Sequence, residues 1–151
     1  MKKIIFSLLV LPLLFSCVST KSSIKNIDDS AQKPSVTDNS FVITEYSNDK
    51  KYGYDKDYPI NIGFNLENLA PQNISYFFNA LKGSNGETFT YEKLESCCPF
   101  PTKKTNMGAG TLDVYQITFT SSQKKVILYF NIYEKGKIMC PSGFEIKKQS
   151  N

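Results

Sequence analysis

Apolar and polar residues divide this chain into three regions of different texture. Residues 4–15 are largely apolar, and residues 18–40 are polar with a few scattered apolar positions. From Phe41 onward, aromatic and β-branched residues become dense and are interrupted by turn signals. This pattern predicts a short apolar leader, a polar connecting segment and one folded domain.

The clearest helical signal is a set of four apolar residues at positions i, i+3, i+4 and i+7: Ile74, Phe77, Phe78 and Leu81. Such spacing places all four on one face of an α-helix. Pro71 suits the first turn of this helix, and Gly83 suits a left-handed cap at its end. A helix of about three turns is not stable alone in water, so this face is expected to pack on a sheet.

Short β-rich runs surround the helix and predict six strands: Phe41–Tyr46, Pro59–Phe64, Thr88–Leu94, Thr111–Thr120, Lys125–Tyr133, and a last one that begins at Ile138 and ends at Ile146. The run Lys125–Tyr133 is apolar on both faces, which is typical of a central strand. Turns of about four residues predict that the last three strands form a meander. We therefore expect an α+β fold, with an antiparallel sheet of about five or six strands and one helix packed on it, over residues 41–148.

The N-terminus has the organisation of a secretory leader. Lys2 and Lys3 precede an apolar stretch that is too short to cross a membrane, which needs about 20 residues. The letters LFSC end at Cys17 and resemble the lipobox of bacterial lipoproteins, although Phe15 is bulkier than the usual residue. Residues 1–16 are thus predicted to be a lipoprotein signal peptide and Cys17 the lipidated residue. The alternative is an ordinary secreted protein.

The residues that follow Cys17 predict location and tethering. Val18 stands where aspartate signals inner-membrane retention, and no acidic run follows, so we expect an outer-membrane lipoprotein on the periplasmic face. Residues 17–40 are predicted to be the lipidated cysteine and a flexible tether, because their apolar residues are too few to build a core. A coil of this length spans roughly 25 Å and would lift the domain clear of the headgroups.

Composition excludes several classes of chemistry. The 151 residues contain no His, Trp or Arg, so a Ser-His-Asp triad and a His-ligated metal are excluded. Loss of Lys2 and Lys3 with the leader lowers the formal charge from +4 to +2, which predicts no nucleic-acid partner. No catalytic residue, cofactor or metal site is predicted.

Three cysteines remain in the domain, namely Cys97, Cys98 and Cys140. In an oxidising compartment a structural disulfide is the simpler interpretation. Adjacent cysteines lie about 3.8 Å apart, below the usual disulfide range, so we expect Cys140 to pair with Cys97 or Cys98. The alternative is a thiol-redox or soft-metal site at Cys97 and Cys98, in which Met107 and Met139 could act as thioether ligands.

A tyrosine-rich run is the second candidate site. Its residues Tyr52, Tyr54, Asp55, Asp57 and Tyr58 could form a ligand-contact surface, because tyrosine offers contact area at low entropic cost. The two carboxylates could accept hydroxyl groups of a sugar. The alternative is that these tyrosines cover the edge of the sheet.

Six segments together resemble a family of small Bacteroidetes-type lipoproteins: YGYDKDYPINIG, FFNALKGSNGE, YEKLESCCPF, GTLDVYQITF, KVILYFNIYEKGK and PSGFEI. The double cysteine in SCCPF is the most specific element. Some members of the family carry the name 2-dehydro-3-deoxyphosphooctonate aldolase, an enzyme with a (β/α)8 barrel. Such a barrel needs about 250 residues, so the resemblance implies the location and the fold but not this activity.

Taken together, the sequence predicts a membrane-anchored envelope lipoprotein with a small non-catalytic binding or structural domain. The expected partners are the membrane, reached through the lipid anchor, and an envelope protein or glycan. The alternative function is a thiol-redox or soft-metal protein that uses Cys97 and Cys98.

Overall fold

A computed structural model describes residues 22–64 and 69–148. The predicted signal peptide and Cys17 lie outside the described residues. The elements are strands β1 (Val36–Thr37), β2 (Ser40–Phe41), β3 (Ile60–Asn61), β4 (Leu81–Gly83), β5 (Phe89–Pro101), β6 (Ala109–Phe119), β7 (Lys125–Asn131) and β8 (Phe144–Ile146), together with helix α1 (Ala70–Asn79) and a 3-10 turn (Ser84–Gly86).

The main sheet has four strands in the order β3-β7-β6-β5. Strands β5, β6 and β7 are antiparallel, and β3 pairs with β7 in parallel through Ile60 and Phe130. The prediction of an α+β fold with one helix and a central strand over Lys125–Tyr133 is confirmed, because β7 lies between β3 and β6. The prediction of one antiparallel sheet of five or six strands is wrong, because the main sheet is smaller and mixed.

Strand β8 explains part of this difference. It pairs with β4 directly after the helix, through Leu81 and Ile146, and not with β7. The expected three-stranded meander therefore ends at β7. Gly83 belongs to β4 and does not cap the helix, which ends at Asn79. A Cβ atom on Gly83 would lie 2.7 Å from the Phe119 ring, so this strand needs glycine to approach the main sheet closely.

The helical face predicted from the sequence is the centre of the core. All four of its apolar residues are at most 2% exposed, with Leu81 lying just beyond the helix in β4. Phe77 and Phe78 both pack edge-on against the Phe130 ring of the central strand, at centroid distances of 5.4 and 5.3 Å. Phe78 also stacks on Tyr91 of β5 at 4.0 Å, so this one ring contacts both the central strand and the edge strand.

The segment before residue 41 differs from the expected flexible tether. Ile24 is buried, and it packs with Phe100 and Leu112 in a second, smaller hydrophobic cluster. Backbone hydrogen bonds join Lys25 N–H to the Asp57 carbonyl and Asp28 N–H to the Lys135 carbonyl, each at 2.8 Å. The described residues 22–40 therefore pack on the domain.

A single buried isoleucine supplies much of the reason for this packing. The apolar residues of the segment are few, but Ile24 packs with Phe100 of β5 and Leu112 of β6. Asn26 adds polar contacts, because its carbonyl and side-chain oxygens both accept hydrogen bonds from the buried amide of Asn61. Composition alone predicts neither the Ile24 contacts nor the Asn26 hydrogen bonds, because the partner residues lie more than 30 positions away in the chain.

Candidate functional site

The cysteine pair lies on the edge strand of the main sheet. Among the described residues no strand pairs with the outer side of β5, and its side chains from Thr90 to Ser96 are exposed. The register between β5 and β6 shifts between Cys97 and Phe100, which marks a β-bulge. Cys98 occupies the left-handed region with φ of 58°, a conformation that is uncommon for a residue with a side chain.

The structure joins the neighbouring Cys97 and Cys98 within this bulge in an atypical disulfide, because their Cα atoms are 3.7 Å apart, below the usual disulfide range. Both residues are half-buried. Cys98 also packs against the small cluster that contains Ile24 and Phe100. The pair therefore lies at the end of the sheet that also holds the N-terminal segment.

The predicted bond from Cys140 to this pair is wrong, because Cys140 is a free, fully buried thiol. Its backbone N–H donates to the Glu45 carbonyl at 2.8 Å, and its side chain belongs to the main core. Cys98, in contrast, contacts the small cluster. Burial raises the pKa of the Cys140 thiol to about 12, so this group stays protonated and unreactive at neutral pH.

The tyrosine-rich run is divided between core and surface. Tyr52 is buried, and its hydroxyl donates to the Lys137 carbonyl and accepts from Met139 N–H. Burial raises its pKa well above the ordinary tyrosine value. Tyr52 is therefore a core residue that holds the segment 137–139, and it also lines a cavity.

The other residues of the run hold their own loop or neighbouring segments. Tyr54 donates a hydrogen bond to the Ser142 carbonyl, and burial raises its pKa to about 12. Asp55 accepts from Asp57 N–H at 2.9 Å, and Asp57 forms an ion pair with Lys25 at 3.7 Å. These contacts fix the loop and join it to Ser142 and Lys25. Tyr58 is half-buried, and it lines the same cavity as Tyr52.

This tyrosine cavity has a volume of about 210 Å³, and its lining includes Asn26, Asp28, Asp49, Tyr58, Lys137 and Met139. A second cavity of about 370 Å³ lies between residues 30–34 and the segment that contains Val42, Thr44 and Glu45. The two adjoin, because Asp28 and Lys137 line both. Lys137 also forms an ion pair with Glu45 at 2.7 Å.

Sequence reasoning missed Asp28, Asp49 and Lys137 as cavity residues. They come from three segments that are far apart in the chain, and each lies in a polar stretch that is typical of a solvated loop. Asp28 accepts hydrogen bonds from the backbone and side chain of Ser30, which lower its pKa. It is therefore a fixed negative charge at neutral pH.

The buried polar groups of the domain form a network with a structural role. Asn131 donates to Asn61 at 2.9 Å, and Asn61 in turn donates to Asn26 of the N-terminal segment. The Thr102 hydroxyl donates to the buried carboxylate of Glu134. Across residues 22–64 and 69–148, no group of three or more His, Cys, Asp or Glu residues could hold a metal ion, and no helix could span a membrane.

No family model, curated protein or solved structure matches this chain.

Proposed function

We propose that the protein is a membrane-anchored lipoprotein of the bacterial envelope whose small domain acts by binding a partner. The leader carries this proposal, because a basic start and a short apolar stretch precede the letters LFSC, which end at Cys17. The resemblance to small envelope lipoproteins supports the same location. The proposed site is the outer membrane, on its periplasmic face, and several acyl chains on Cys17 would hold the chain there stably.

The binding region is the pair of adjoining cavities. They present two tyrosines, Tyr52 and Tyr58, together with three carboxylates and two lysines, over a combined size in the range of small-ligand sites. Carboxylates accept hydroxyl groups, and an aromatic side chain contacts apolar faces of a sugar ring. This chemistry favours a hydroxyl-rich ligand, such as a short glycan segment of the envelope, over a purely apolar one.

Fractionation and binding test the two halves of this proposal separately. Cys17→Ser should move the chain from the membrane fraction to the soluble fraction or block its processing. For binding, Asp49→Asn removes a cavity charge while keeping an oxygen that accepts the Lys51 N–H bond. Asp38→Asn at the exposed β1–β2 turn is the matched control. We expect the affinity for soluble peptidoglycan fragments to fall only for Asp49→Asn, and equal affinities would contradict the assigned site.

A second candidate function is thiol-disulfide exchange, and the disulfide between Cys97 and Cys98 favours it. The pair is half-exposed in a bulge on an edge strand, where a partner thiol can approach. A thiolate of a partner dithiol would attack one sulfur and break the Cys97–Cys98 bond as a mixed disulfide forms. The second thiol of the partner would then resolve it, leaving two thiols on β5 and an oxidised partner.

Thiol counting tests this candidate. After incubation with a reduced dithiol protein, alkylation of the folded chain should add two groups, both mapping to Cys97 and Cys98. Cys97→Ser combined with Cys98→Ser should abolish this labelling. Absence of labelling in the unaltered chain, or labelling at Cys140, would refute the exchange.

A further inference from the structure

The covalent connection between the lipidation site and the folded domain is short. Cys17 and Ser22 are five positions apart, and a fully extended chain of that length spans at most about 18 Å. Ser22 is half-buried, and its hydroxyl accepts a local hydrogen bond from the Ile24 N–H at 3.2 Å. Ile24 is buried in the small cluster, so this part of the chain is held on the domain. An acyl anchor on Cys17 would therefore keep this end of the domain close to the bilayer, and not 25 Å above it.

The β5–β6 loop (Thr102–Gly108) lies at this same end. It connects the end of β5 to the start of β6. Phe100 and Leu112, near those strand ends, form the small cluster with Ile24. An ion pair at 3.3 Å joins Lys104 of the loop to Asp29 of the N-terminal segment. The loop and the start of the described chain are therefore neighbours.

The loop has a surface suited to a lipid headgroup region. Its sequence TKKTNMG contains two lysines and no acidic residue, and both lysines are exposed. Met107 is 88% exposed, more than any other large apolar side chain among the described residues. Two backbone hydrogen bonds of 3.1 Å, from Gly108 to Thr105 and from Thr102 to Gly108, hold the loop in a defined turn.

We infer that the β5–β6 loop contacts the membrane that holds the acyl anchor. Met107 inserts at the boundary between headgroups and acyl chains, and Lys103 lies beside the phosphates of anionic phospholipids. Lys104 lies next to it, in an exposed ion pair with Asp29. Each lysine near such a surface strengthens attachment about fivefold. This inference rests on the proposed lipidation of Cys17, which supplies the proximity. The result is a domain with a fixed membrane-facing end, and not one that tumbles on a flexible tether.

The absence of tryptophan from the chain allows a direct test. The acylated protein is reconstituted into vesicles of phosphatidylglycerol and phosphatidylcholine, with Met107→Trp as its single tryptophan. Ser121→Trp is the matched control, because Ser121 is exposed in the β6–β7 turn at the opposite end of β6. We expect brominated lipids to quench Met107→Trp strongly and Ser121→Trp little, with a blue-shifted emission only for the former.

Charge variants test the role of the lysines. In the Met107→Trp protein, Lys103→Gln with Lys104→Gln should weaken the quenching. The same change at Lys124 and Lys125, beside the opposite turn, should leave it unchanged. Equal quenching of the two tryptophan positions in protein that floats with the vesicles would overturn the orientation and leave the anchor standing. Protein that does not float with the vesicles would overturn the anchor, and the orientation with it.

Discussion

Replacing Ile24 by alanine tests whether the N-terminal segment is part of the folded domain. The sequence alone suggests that residues 18–40 are dispensable, whereas the structure buries Ile24 to 7% exposure. The substitution removes the apolar side chain that closes the cluster with Phe100 and Leu112. It leaves the backbone hydrogen bonds of the segment intact, so the result reports on apolar packing.

The size of the expected loss follows from this environment. Deleting the side chain of a buried isoleucine costs about 2–5 kcal/mol. The cluster around Ile24 is small, and half-buried residues such as Tyr129 and Tyr133 can relax into the space, so we expect about 2–3 kcal/mol. A small domain has a total stability of about 5–15 kcal/mol. For a domain of this size the loss corresponds to a decrease in Tm of roughly 10 °C.

Urea unfolding and thermal unfolding of the soluble chain, with Ser in place of Cys17, would measure this loss. Val36→Ala is the matched control, because Val36 is a β-branched residue of the same segment that is 41% exposed. Its substitution should change the free energy of unfolding by less than about 0.5 kcal/mol. If Ile24→Ala and Val36→Ala have the same stability, the segment does not pack as described.

Three further predictions concern the core and the cysteines. Phe78→Ala should lower the free energy of unfolding by about 3–5 kcal/mol, because the ring is 2% exposed, and a loss near zero in urea unfolding would contradict the placement of the helix. The raised pKa of Cys140 means that the unfolded chain loses this proton first as pH rises above the ordinary value of 9.0. Stability should therefore be complete below that pH and fall by about 1 kcal/mol between pH 9 and 10. Cys140→Ala should flatten this slope, and an unchanged slope would refute the burial of the thiol. Under non-reducing conditions, peptide mapping should yield Cys97 and Cys98 in one bonded peptide and Cys140 unbonded, whereas a peptide linking Cys140 to either would restore the expected structural disulfide.

The sequence by itself determined the elements whose signal is periodic. The spacing of Ile74, Phe77 and Phe78 identified the buried face of the helix, because 3.6-residue periodicity reports directly which side chains leave water. The apolar character of both faces of β7 identified the central strand for the same reason. The lengths of the strands were less well predicted, and β5 extends to Pro101, well beyond the expected Leu94.

Pairing between elements was decided only in the tertiary structure. A periodic pattern reports that a side chain is buried but not which element covers it. Strand β8 could therefore be assigned as a strand but not placed beside β4. The same limit applies to Cys140, for which the sequence predicts a disulfide with Cys97 or Cys98. In the structure Cys140 is enclosed in the main core, whereas Cys97 and Cys98 lie in the bulge of β5.

The N-terminal segment and the cavities show the physical reason most clearly. One buried residue, Ile24, and a few hydrogen bonds to distant backbone groups convert a polar segment into part of the domain. Asp28, Asp49 and Lys137 become neighbours only because that segment lies across the others. Such contacts depend on residues far apart in the chain. Local periodicity therefore determined the helix and the central strand, whereas only the folded chain brings the cavity residues together.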